Sequence, residues 1–554
     1  MKKNVMVIVS IVLILSMVLG ACSNNQNANG NDSSPSQNNG EGNGGSSSEG
    51  SNEITFPLDE SVTLDVVARR EPLAPSDFNE NQTAQKIEEM TNVKVQWDTI
   101  VSTDYQEKKN LLLASNDLPD VFLGADFNDS ELLKYGNEGT IIPLNDLIDQ
   151  HMPNLKKILD ERPDIRGIIT APDGNIYSLP VGEELGSGQE EIGANPDFLY
   201  INTEWLDRLG LEMPTTIEEY TEVLRAFKAE DANGNGDKND EIPLTYIDGF
   251  WTGDIGYLFG AFGVPDKTYQ PQVQTFIEHL NVEDGEVKYA PLQEGYKEAV
   301  SYVHQWFAED LVDLEAFTHD YTSYFALGKQ DPLVLGSFLW WDKNDVVAPN
   351  GYQYAIVPPF KDMVVKWNNG SMIGRNGSVI TVENEHPEIT AKWLDTMYEP
   401  RLAAEARWGP IGVWFEEDEN GMLVQKDDIE NPGEFRQKVA LNNGVGLITG
   451  EHFKSVVAPE ERAKARIDDM REIFAPQMQD EKFPLLFFTE EELEVIERIK
   501  PDVLQYTAQM RAKFLMEGGV DSNWDDFIAT IQDMGIEELL EVYQSAYDRY
   551  KEAQ

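Results

Sequence analysis

Fourteen residues, Asp231 to Leu244, read DANGNGDKNDEIPL and gather oxygen donors at a spacing that suits a hard cation. Asp231, Asn233 and Asn235 fall at positions 1, 3 and 5 of a curled loop, Gly236 takes the sharp turn at 6, and Asp237 can offer its carbonyl at 7. Position 12, where an EF-hand places Glu, is Ile242, so this is not a full EF-hand. Donors of this kind favour calcium over zinc or copper. The alternative is a solvated Asn-Gly turn that holds no ion. The loop joins a helical stretch, TIEEYTEVLRAFKAED, to a strand, EIPLTYI, and contains no aromatic residue, so its cation is expected to be structural.

Catalytic spacings are absent. The chain has no G-x-S-x-G elbow, no H-E-x-x-H and no P-loop, and its six histidines are scattered. The 99 acidic residues leave room for the two carboxylates of a glycoside hydrolase, and that reading is one alternative. An adhesive or signalling surface protein is another. A binding protein that performs no reaction, with no organic cofactor, is the expectation.

The single cysteine, Cys22, excludes an intrachain disulfide and a thiolate zinc site. It follows Lys2, Lys3, an apolar run and LGAC, a cleavable export signal over residues 1–21. The LGAC pattern resembles the bacterial lipobox, which implies that Cys22 becomes a lipidated N-terminus on the outer face of the cell membrane. Two or three acyl chains, at about 0.8 kcal/mol per buried methylene, anchor durably where one does not. Residues 22–52 are Ser, Asn, Gly and Gln almost throughout and read as a flexible tether, spanning roughly 30 Å r.m.s..

The whole chain, 554 residues with 41% apolar side chains, exceeds one ordinary core. With 43 basic against 99 acidic residues the net charge is −56, which repels nucleic acid and anionic lipid head groups. Strand and helix patterns alternate: VTLDVVA (62–68), NQTAQKIEEM (81–90), NVKVQWDTI (92–100), DYQEKKNLLLAS (104–115) and DVFLG (120–124) predict a parallel α/β sheet. ITAPDGNIYSLP (169–180) predicts a hairpin on Asp173-Gly174. Further strands are predicted at 198–202, 241–247, 332–341, 354–360 and 377–382, a capping box at Thr216 and Glu219, a helix over 292–311, and mostly helix from 457.

LLLASNDLPDVFLG, LIDQHMPNLKKILDERPDIRGIITAPDGNIYSLP, YINTEWLDRLGLEMPTTIEEYTEVLRAFKAEDANGNGDKNDEIPL and NEHPEITAKWLDTMY follow one another in that order. Together they resemble the lipid-anchored extracellular solute-binding proteins of Gram-positive ABC oligosaccharide importers, to which the calcium-loop alginate-binding proteins are related. The resemblance implies a two-lobe periplasmic-binding-protein-like α/β fold of type II, with ligand in the cleft, a permease as partner, a monomer and no chemistry on the ligand. It divides the chain into an N-terminal lobe over 53–180, with about 350–400 returning to it, a C-terminal lobe over 181–349, and a helical part of that lobe over 401–554. In the resembled family the loop closes with an adjacent Asp-Glu pair, here Asp240 and Glu241. That pair lies one residue later than usual, so Asn239 and Asp240 compete for one ligand place.

Sugar rings offer apolar C–H faces that stack on indole, and their hydroxyls need carboxylates and amides. DGFWTGD (248–254), GSFLWWDKND (336–345) and EARWGPIGVWFEEDENG (405–421) each set Trp beside Asp, Gly or Asn. Trp251, Trp340, Trp341, Trp408 and Trp414 are the stacking candidates, with Asp254 and Asp342 as hydroxyl partners; the competing reading for each Trp is core packing. Of the neighbours Trp340 and Trp341, one is expected to face the core, because alternate strand residues face opposite ways. The net charge argues for a neutral or weakly anionic oligosaccharide. The lipobox is open to a direct test. Cys22→Ala is expected to move the protein from the membrane fraction to the medium; retention in the membrane fraction would show that something else anchors it.

Overall fold

The computed structural model describes residues 54–186, 188–195, 197–266, 279–367, 371–441 and 444–554. Cys22, the signal segment and the tether lie outside the described residues. No described helix is long and apolar enough to cross a membrane.

The strand Val62–Arg70 is the axis of the first sheet. It pairs in parallel with Val93–Val101 over its whole length, from Val62 opposite Val93 to Arg70 opposite Val101, and with Val121–Leu123 on its other side. Ser378–Ile380 returns antiparallel to Val121–Leu123. The helix between the first two strands, Gln82–Thr91, begins where the Asn81 side chain accepts the amides of Thr83 and Ala84. It ends at Asn92, whose φ of 55° is left-handed. Leu64, Val66 and Ala68 point into one core and Val67 into another, so both faces of the sheet are covered.

The second sheet runs in the order Tyr354–Ile356, Phe198–Asn202, Leu335–Trp340 and Ile242–Thr245. Leu335–Trp340 is buried at every position, as a central strand covered on both faces must be. Phe198–Asn202 pairs with it antiparallel and Ile242–Thr245 in parallel. A third sheet is small and lies where the chain crosses between the two cores: Ile373–Gly374, Val181–Glu183 and Leu447–Ile448.

Two hydrophobic clusters dominate. The first takes residues from Leu64 to Leu179, then Ile373 to Ala406, Leu441 to Leu447, and Leu485. The second takes Ala194 to Val365 and then Met470 to Tyr547. The packing thus departs from the expected grouping of 401–554: Leu402, Ala406, Leu441, Val445 and Leu447 bury in the first core. The physical reason is the helix Pro400–Trp408, which follows one short turn after the helix Pro387–Asp395 already packed there, and the strand Leu447–Ile448, which pairs with Val181–Glu183.

Three local expectations also change. Around Asp173-Gly174 the turn closes, with the Gly174 amide donating to the Ala171 carbonyl at 2.8 Å, but no ladder follows it. Its flanks find other partners: the Leu144 amide donates to the Ile176 carbonyl and the Leu179 amide to that of Ser378. Thr216 accepts the Glu219 amide, while the Glu219 carboxylate turns to Thr215. The helix expected over 292–311 spans Glu294–Ala308.

Candidate functional site

The acidic loop is internally wired. Asp231 accepts the Gly236 amide at 2.9 Å, and Glu241 accepts that of Ala232 at 2.9 Å. Asp240 lies between the amides of Asn233 and Asn235, at 3.1 and 2.5 Å, whereas Asn239 turns outward and donates to Asp237. Gly234 and Gly236, at φ of 77° and 94°, make the left-handed turns that let the backbone curl this tightly. Asp231 Oδ1 and Glu241 Oε2 are buried with no hydrogen-bond partner among the described residues. Two buried carboxylate oxygens without a donor, one from each end of the loop, fit a cation held between them. Among the described residues no three His, Cys, Asp or Glu side chains gather as metal ligands.

The aromatic candidates divide by exposure. Trp340 is buried, packed against Phe250, Tyr321, Tyr324 and Phe325. Its neighbour Trp341 stays half-buried, and the Trp251 ring lies 5.6 Å from it. Trp251 donates to the Tyr321 hydroxyl at 2.9 Å, and Tyr321 is 44% exposed. These three rings make one partly open apolar surface on the second core. Phe250 and Tyr321 were not anticipated; the signal for Tyr321 lay only in an aromatic run, YTSYF, without a neighbouring Trp.

Behind Trp341 sits Arg466. Its guanidinium lies 3.8 Å from the Trp341 ring and 3.9 Å from that of Phe198, and it donates to the Trp341 and Asn195 carbonyls. Burial lowers it to about 10. Arg462, one turn earlier on the same helix, pairs with Asp342 and Asp345. Asp342 is thus committed to Arg462 and to capping the helix Lys343–Val347.

Trp408 and Trp414 are also largely buried, yet they line a cavity of about 130 Å³ with Glu183, Arg436, Phe453, Glu460 and Ala463. The turn from Glu460 to Arg466 therefore meets this cavity at one end and Trp341 at the other.

Asp254 requires a correction: it is 1% exposed and cannot reach a ligand hydroxyl. It accepts the amides of Gly249 and Gly256 at 2.8 and 2.7 Å and pairs with Arg511. Asp248 and Asp266 each lie 3.8 Å from the same guanidinium, and His279 Nδ1 is 2.7 Å from Asp266. Burial opposes the charge on Arg511, but the three carboxylates outweigh it and hold the group well above its ordinary range. Burial pushes Asp248 up to about 6, against the pull of Arg511.

Residues 74–404 match the family of bacterial extracellular solute-binding proteins. FusA, the fructooligosaccharide ABC transporter substrate-binding protein of Streptococcus pneumoniae serotype 4, is 37% identical over 515 residues, 90% of this chain and 92% of FusA. The structure of S. pneumoniae FusA with kestose superposes with a TM-score of 0.73, covering 89% of this chain and 100% of that one. An EF-hand mutant of FusA with fructo-nystose, 36% identical over the same shares, gives 0.72. The alginate-binding protein AlgQ2, 24% identical, shares the fold at 0.60 over 90% of this chain and 100% of its own.

The Arg511 cluster yields a stability prediction. Arg511→Leu leaves Asp254 and Asp266 buried without that cation, beside the partly exposed Asp248, and is expected to cost about 3–5 kcal/mol in urea unfolding. A loss under 1 kcal/mol would mean the carboxylates are neutralised otherwise.

Proposed function

This chain belongs to the bacterial extracellular solute-binding proteins and is the substrate-binding component of an ABC transporter for carbohydrate, and we propose that its ligand is a short, neutral fructooligosaccharide. Like its relatives it binds and releases; it is not an enzyme. The ring surface of Trp251, Trp341 and Tyr321 carries the reading. Indole faces there offer stacking to the apolar face of a sugar, and the cavity of Trp408 and Trp414 offers a second contact from the other end of the Glu460–Arg466 turn. The two cores act as lobes, the small sheet of crossing strands as the hinge, and ligand bridging both sides stabilises a closed arrangement that the permease recognises. FusA, bound to kestose, supplies the ligand class.

The loop at 231–241 holds calcium in this reading, with Asp231, Asn233, Asn235, Asp237, Asp240 and Glu241 supplying oxygens. Asp240 takes the contested place because it is enclosed by Asn233 and Asn235 while Asn239 faces outward. The EF-hand of FusA supports it. The calcium is structural, pinning the entry to the strand Ile242–Thr245. Cys22 anchors the protein, a monomer, to the outer face of the membrane by acyl chains.

Titrating kestose and nystose into the full chain is expected to change tryptophan emission and to shrink the radius of gyration in solution scattering. Trp251→Ala should weaken binding about tenfold, the worth of one stacked ring. Absence of heat and of any emission change with every fructooligosaccharide tried would reject this ligand class. For the loop, chelation is expected to lower the melting temperature by mass action. Asp231→Ala should abolish that sensitivity while changing sugar affinity less than stability; identical melting in calcium and in chelator would reject an occupied site.

A further inference from the structure

A cavity of about 350 Å³ opens at the C-terminal end of the strand Val62–Arg70, lined by Arg69, Arg70, Glu71, Arg407, Arg436 and Leu441 among others. Of its lining residues four carry guanidinium groups and one a carboxylate. Glu71 lies 3.5 Å from Arg69. Behind the wall Glu183 sits 3.5 Å from Arg407 and 3.7 Å from Arg436. Four cations thus face two anions, in a chain whose net charge is −56.

The cationic wall is built in. Arg407 is only 5% exposed and donates to the Val445 carbonyl at 3.2 Å, and its own carbonyl accepts from Arg436 Nε at 2.9 Å. Arg70 makes only long contacts, 3.4 Å each to the Glu71 and Ala74 carbonyls, and its buried Nε has no hydrogen-bond partner among the described residues. Guanidinium donates and never accepts, so whatever fills the cavity presents acceptor oxygens. The local excess of positive charge selects acceptors that carry negative charge. The ends of parallel strands, where this cavity lies, are where open α/β sheets take their ligands.

We propose that this cavity binds an oxyanion group, a phosphate, sulfate or carboxylate, either as a free ion or as a substituent on the saccharide. The proposal goes beyond the neutral ligand above; only its second form rests on saccharide binding, because Arg436 also borders the cavity of Trp408 and Trp414.

The test is calorimetric titration of the full chain with sodium sulfate, sodium phosphate and sodium galacturonate, against sodium chloride and galactose at matched ionic strength. Sulfate stabilises proteins by general exclusion, so the readout is the difference between the native chain and Arg70→Gln, with Arg436→Gln as a second variant and circular dichroism to confirm folding. Binding of sulfate or phosphate, weakened about tenfold or more in Arg70→Gln, supports a free-ion site. Binding of galacturonate alone, weakened in the same way, supports a saccharide substituent. Heats no greater than those of chloride and galactose, or binding undiminished in both variants, overturn the proposal. Kestose titrated into the native chain in parallel keeps this failure distinct from failure of the sugar reading.

Discussion

One guanidinium, buried with the carboxylates of Asp254 and Asp266 and bordered by that of Asp248, ties the second core to the loop that carries Trp251. Arg511 comes from the long helix Glu490–Glu517, while Asp248 and Asp254 flank the loop that carries Phe250 and Trp251. That pairing joins other long-range contacts that fix the loop: the Gly253 amide on Asp197, the Asp248 amide on the Ala316 carbonyl and Trp251 on the Tyr321 hydroxyl. Burying Arg511, Asp254 and Asp266 costs more than an apolar cluster of the same volume, so the network is weak evidence for stability. What it supplies is position: Asp254 takes the amides of Gly249 and Gly256 as well as Arg511, and caps the helix Ile255–Phe262.

Other buried arginines work at junctions too. Arg466 ties the crossing helix Glu461–Asp469 to the second core and backs Trp341. Arg375 pairs with Asp129 and donates to the carbonyls of Ile168 and Leu486, joining the C-terminal stretch to the first core. In a chain with 99 acidic residues, carboxylates for exposed pairs are abundant and each such pair contributes little. The same guanidinium withdrawn from water and bonded to backbone oxygens fixes geometry as exposed pairs cannot.

Local order was legible in the sequence wherever the cause was local. The alternation at 62–68, the helix expected over 81–90 and the oxygen-rich spacing at 231–241 all depend on neighbours a few residues away. Asp254 misled for the opposite reason: its partner is 257 residues distant, and nothing around it in sequence marks it as buried. For Trp408 and Trp414 the packing partners, Phe453 and Phe435, also lie far off in sequence, so no local pattern shows which part of each ring stays open to the cavity. The arginine cavity drew one wall from a strand end and another from residues 407–441, so no motif could show it.

The first core has an order problem built into its topology. Its sheet begins at Val62, yet the same cluster needs Ile380, Leu402 and Leu447, and the strand Leu447–Ile448 seals one edge of the crossing sheet. The entire second sheet is inserted before those residues arrive. A nascent chain delivered from its N-terminus therefore carries an unfinished apolar face until some four hundred residues more have emerged, and the inserted half has every strand it needs sooner. The helices that cover that second sheet come later still, running on to Tyr547, so neither core closes until the chain is nearly complete. Such a protein depends on whatever shields that open face in the interval, and the long sequence separation of its closing contacts makes the last step the slow one.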